Sequence, residues 1–83
     1  MEEEKIKEII KALSELSEDV SVPKNIKTKI GEMIDILNED SELSIRLNKV
    51  LNELDEIADD TNMQPYTRTQ IWNIVSMLET VKY

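Results

Sequence analysis

Two patches of this sequence hold side chains of types that could do chemistry. Asp59, Asp60 and Asn62 place oxygen ligands close together, the hard donors that calcium or magnesium takes. The Gly and the distal bidentate Glu of an EF-hand loop are missing, so helix capping is the simpler role for these oxygens. Asp55 and Glu56 are neighbouring carboxylates, yet no nucleophile, His or electrophilic partner accompanies them as an acid–base pair would require. The second patch is Met63, Tyr66, Arg68 and Trp72, residue types enriched at the anchors of protein interfaces.

The rest of the composition narrows the chemistry further. With no Cys and no His, thiolate catalysis, disulfides, zinc–thiolate sites and the usual neutral-pH proton shuttle are excluded. The expectation is a protein that is not an enzyme and carries no cofactor. Eighteen acidic against ten basic residues give a net charge of −8, which repels phosphate backbones and makes direct nucleic-acid binding an unfavoured reading. Apolar runs are short and Met1 leads into three glutamates, so neither a signal peptide nor a membrane span is expected and a cytoplasmic location is the default.

These residues must be positioned by helices. Ile6, Ile9, Ile10, Leu13 and Leu16 recur at helical spacing and predict a helix from about Glu2 to Glu18. A second runs from about Pro23 to Asn38 with Ile26, Ile30, Met33, Ile34 and Leu37 inward, Pro23 in its first turn and Ser21 or Val22 as cap. Asp40 or Ser41 opens a third to about Ala58, with Leu43, Leu47, Val50, Leu51, Leu54 and Ile57 inward. After a turn at 59–62, Pro65 opens a fourth with Ile71, Ile74, Val75, Leu78 and Val81 inward. The connections are short, which makes sequential helices antiparallel.

Adding 41 to a position maps Ile6 to Leu47, Ile9 to Val50, Leu13 to Leu54, Leu16 to Ile57, Asp19 to Asp60 and Val22 to Met63. The register continues without a gap through Lys27 to Arg68, Thr28 to Thr69, Ile30 to Ile71, Met33 to Ile74 and Leu37 to Leu78. This is the pattern of a duplicated helical hairpin, about 2–39 and about 40–81, in which neither half can bury its stripe alone. The fold predicted is all-α, a single four-helix up-and-down bundle. Gly31 aligns with Trp72: the missing side chain would let a neighbouring helix approach, while Trp72 covers the bundle's edge.

The segments Asp19-Val-Ser-Val-Pro-Lys-Asn-Ile-Lys27 and Asp60-Thr-Asn-Met-Gln-Pro-Tyr-Thr-Arg-Thr-Gln-Ile-Trp-Asn-Ile-Val-Ser-Met-Leu-Glu79 resemble the small archaeal uncharacterised protein family 0147. The resemblance covers nearly the whole chain and implies an archaeal cytosolic four-helix bundle. It brings no activity and no catalytic residues. Lys24 and Lys27 stand where that family usually has Arg. Helix pairs of this period, with Arg46 and Pro65 in place, also resemble HEAT-like repeats, a likeness that implies exposed end faces and self-association.

Functionally the sequence points to a protein–protein interaction or self-associating module, with Met63, Tyr66, Arg68 and Trp72 as its candidate surface. Its partner is an unidentified protein of basic character, or a second copy in a symmetric homodimer. The bland alternative has Tyr66 and Trp72 capping the bundle's own edge and Arg68 pairing with Asp59 or Asp60. The reading from a different class is a small-ligand or divalent-metal-binding bundle, which would need a polar residue buried within a stripe, and every stripe above is apolar.

Overall fold

Amphipathic periodicity becomes four helices in the computed structural model, which describes residues 2–60 and 63–81: α1 (Glu2–Glu18), α2 (Lys24–Leu37), α3 (Leu43–Ala58) and α4 (Pro65–Glu79). Each helix packs on two others, α1 on α2 and α4, and α3 on α2 and α4, and among the described residues the backbones do not approach closely across either diagonal. A HEAT-like stack would instead lay α1 against α3. The arrangement is a closed square, an up-and-down bundle of 33 × 20 × 19 Å. Its long axis is what helices of 14 to 17 residues, rising about 1.5 Å per residue, require once the turns are added.

The centre of the square is filled almost entirely by aliphatic side chains. Ile9, Leu13, Ile30, Met33, Val50, Leu54 and Ile71 have no exposed surface, and Ile26, Leu37, Leu47, Ile74 and Leu78 almost none. Ile10, Ile34, Leu43 and Leu51 stand at the stripe edges and are half-buried against this core. Burying each Leu or Ile contributes roughly 1.5–3 kcal/mol against leaving it in water, so the shared core and not helix propensity holds the helices in place.

Main-chain groups at the helix ends are closed in ways that differ from the sequence expectation. Pro23 is the residue before α2, not within its first turn; its ψ of 149° is extended, and its carbonyl accepts from the Ile26 and Lys27 N–H groups. The residue before α3 is Glu42, not Asp40 or Ser41, and it makes no side-chain cap. Asp19 acts inside the turn: its Oδ1 accepts from the Ser21 N–H at 2.9 Å and the Ser21 hydroxyl at 2.7 Å, an Asx turn that ends before α2 begins.

Long basic side chains close the C-terminal ends. Arg46, early in α3, donates from Nη1 to the Leu37 carbonyl at 2.7 Å. Lys5, early in α1 and 41 residues before Arg46, donates to the Thr80 carbonyl at 3.1 Å. Each places a cation on the carbonyl-rich end of the helix beside it, where the helix dipole favours positive charge. The offset recurs in Thr28 and Thr69, whose hydroxyls donate to the Lys24 and Pro65 carbonyls, both at 3.1 Å.

Gly31 departs from expectation. It sits on the exposed side of α2, and a β-carbon built there would meet nothing within 4 Å, so no helix approaches through it.

Candidate functional site

Within α4 the inward positions are Thr67, Ile71, Ile74, Val75 and Leu78, and what remains exposed flanks them. At about 100° per residue, Tyr66 and Trp72 lie roughly 120° apart and on opposite sides of that stripe. Tyr66 is 63% exposed and Trp72 53% exposed, so Trp72 covers the bundle's edge with only part of its ring system. Arg68 is on the Trp72 side. It is half-buried and donates from Nη2 to the main-chain carbonyl of Asp60 at 3.1 Å, while its Nε is buried without a hydrogen-bond partner.

Met63 does not belong to this surface. It is 5% exposed and packs in the core, because the chain entering α4 turns it inward as it turns Val22 inward before α2. The four residues anticipated as one interaction patch are therefore divided: Met63 inside, Arg68 and Trp72 on one flank of α4, Tyr66 on the other.

The Tyr66 flank faces α1. There Ala12, Glu15, Leu16 and Asp19 of α1 and its turn, with Tyr66 and Gln70 of α4, line an open groove of about 130 Å³. Ala12 and Leu16 make an apolar floor, and the two carboxylates stand at its rim. The Ser21 hydroxyl, then the Ser21 N–H, hold the Asp19 carboxyl below its ordinary value of 3.8, with the charge of Lys27 acting in the same direction. Asp19 is thus anionic at any physiological pH, and the Glu15 carboxylate makes no hydrogen bond or ion pair with any described residue.

A second groove, of about 330 Å³, lies at the other end of α1, where Glu3, Ile6, Lys7 and Ile10 face Leu37, Asn38, Leu43 and Arg46. Its charges are mixed, and its polar hub, Arg46, already holds the Leu37 carbonyl.

Of the oxygens considered for a metal, Asn62 lies outside the described residues. Among those described, no three His, Cys, Asp or Glu side chains are grouped as a metal ion would require. One polar residue in the core was not anticipated: Thr67 is fully buried in α4 and its hydroxyl has no hydrogen-bond partner among the described residues. It stands 41 residues after Ile26, and that register was the signal that marks its position as inward. Neither groove includes it.

The matching family model, described as an uncharacterised protein family, covers residues 1–81. The chain belongs to UPF0147. A UPF0147 protein of Sulfurisphaera tokodaii is 46% identical over 82 residues, spanning 96% of this chain and 91% of its own. The crystal structure of a UPF0147 protein from Thermoplasma acidophilum superposes with a TM-score of 0.92 at 33% identity, over 98% of this chain and 96% of that one. That of a further protein of unknown function gives 0.88 at 45% identity, over 95% and 91%. UPF0147 relatives are mostly archaeal, and their descriptions assign no activity. No helix among the described residues is long and apolar enough to cross a membrane.

Proposed function

We propose that this member of UPF0147 is a non-enzymatic protein-interaction module that docks a basic partner through the outer surface of α4. The observation that carries this reading is the exposure of Tyr66 and Trp72. A chain with three aromatic residues in all leaves two of them more than half exposed outside its mainly aliphatic core. Exposed Tyr and Trp are the residues most often found as anchors in protein interfaces. A net charge of −8 steers association towards positively charged surfaces.

The two hairpins, read as copies of one unit, fit the same picture. They bury their apolar stripes against each other and leave the outer helix flanks free to diverge.

Light scattering combined with Trp72 fluorescence over a dilution series tests the proposal and separates its two forms. A monomer with red-shifted, quenchable Trp72 emission leaves α4 free for another protein. A concentration-dependent dimer with blue-shifted emission assigns the surface to self-association. If native-lysate pull-downs yield no salt-sensitive partner and the chain is monomeric at all concentrations, the interaction reading loses its support.

A further inference from the structure

Positions 41 apart allow the α4–α1 face to be compared with the α2–α3 face residue by residue. Glu15 corresponds to Glu56, Gln70 to Lys29, Tyr66 to Asn25 and Ala12 to Glu53. On the α2–α3 face Lys29 spans the helix boundary and brings its ammonium to 3.5 Å from the Glu56 carboxylate. On the α4–α1 face the same carboxylate position is kept as Glu15, but its lysine is replaced by the neutral Gln70 and Ala12 is too short to fill the space. What remains is a groove with an anionic rim, an apolar floor and an exposed aromatic ring. It lacks the one cation that its counterpart holds.

We propose that this groove takes the side chain of a lysine or arginine presented by a basic segment of another protein. The proposal rests on the interaction reading above and names its partner chemistry. The incoming methylenes lie along Ala12 and Leu16, the Tyr66 ring stacks on the cation, and Glu15 and Asp19 receive the charge. A volume of about 130 Å³ suits one side chain and excludes a helix; a dry cavity of roughly 150 Å³ accepts a benzene-sized group. Gln70 offers a carbonyl oxygen as a further acceptor at the rim. Charge complementarity favours this occupant over an acidic or apolar one, because an apolar group would leave the Glu15 carboxylate facing it unpaired.

The probe is a short peptide of alternating lysine and glycine, with a norleucine-for-lysine copy as control, titrated into isotopically labelled protein at physiological salt and followed by amide chemical shifts. Saturable shifts confined to residues 12–19 and 66–70, absent with the norleucine peptide, are the expected result. Gln70→Lys plugs the groove from within, as Lys29 does on the other face. It should weaken binding about tenfold, the loss of one close charge pair and its stacking, with its melting temperature held or raised.

Asn48→Lys, at an exposed position of α3, makes the same charge change and should weaken binding less than about twofold, since exposed charges beyond a Debye length are screened. Asn25→Tyr with Lys29→Gln and Glu53→Ala should create a second site and double the stoichiometry.

Equal loss in Gln70→Lys and Asn48→Lys, or shifts spread over the whole surface, would show general charge attraction and overturn the groove. A dimer that Gln70→Lys dissolves would make the occupant a second copy, which also overturns the proposal. A salt-sensitive partner held equally by wild-type and Gln70→Lys baits would sink the groove and leave the interaction module standing. No binding of peptide and no partner would sink both.

Discussion

Thr67 occupies the inward position that Ile26 holds in the first hairpin, and its hydroxyl is shut into the aliphatic core with no hydrogen-bond partner. An unpaired buried hydroxyl costs roughly 1–3 kcal/mol. Thr67→Val keeps the shape and removes the oxygen, so it should stabilise the protein by about 1 kcal/mol, a rise of roughly 4–8 °C in melting temperature for a domain of this size. A fall in urea midpoint would show that the hydroxyl has a partner, a bound water or a ligand, that the aliphatic packing conceals.

Gly31 faces solvent in the middle of α2 with open space around it. Gly31→Ala should therefore stabilise by about 0.5–1 kcal/mol, through the backbone freedom that glycine adds to the unfolded chain. Thermal melting decides the sign; destabilisation would mean that a helix does pass closely there.

Arg46 and Lys5 make equivalent contacts in unequal surroundings. The half-buried Arg46 donates to Leu37 at 2.7 Å, the exposed Lys5 to Thr80 at 3.1 Å. Hydrogen bonds from charged donors contribute roughly 1.5–3 kcal/mol when partly desolvated, and exposed substitutions usually stay within about 0.5 kcal/mol. Denaturant midpoints of Arg46→Met and Lys5→Met should differ in that order. Equal losses would place Arg46 outside the packed structure.

Asp19 links stability to pH. Its carboxyl is held below 3.8 in the folded chain by Ser21, so the unfolded chain binds this proton more readily than the folded one. The contribution is present in full above that ordinary value and is lost as pH falls through the lowered one. Asp19→Ala should thus lower the urea midpoint at neutral pH and converge with wild type once acid has protonated the Asp19 carboxyl in the folded chain. A gap of constant size down to low pH would remove the Asx turn from the account.

Much of this fold was legible because aliphatic periodicity is a strong signal and, Thr67 and Ala58 apart, the inward positions of the helices are Ile, Leu, Val or Met. What misled was local. Pro23 and Glu42 sit one residue outside their helices because cap geometry depends on ψ, which residue type constrains only weakly here. Met63 looked like an interface residue by type, although Val22 at the same register predicts burial. Gly31 was given a packing role that only the position of neighbouring helices could decide. The groove beside Tyr66 depends on Gln70 and Ala12, residues that carry no signal of their own. They gain meaning only when set against Lys29 and Glu53.

The hydrogen bond from Lys5 to Thr80 brings the beginning of α1 to the end of α4. In spatial terms the four helices close into a ring with four similar corners, one of them bridged by that bond. Joined there by a short linker and reopened between Leu37 and Leu43, the same residues would run α3, α4, α1, α2 around an unchanged square. The order of the hairpins along the chain is thus a matter of connectivity, and the packing of the bundle does not depend on it.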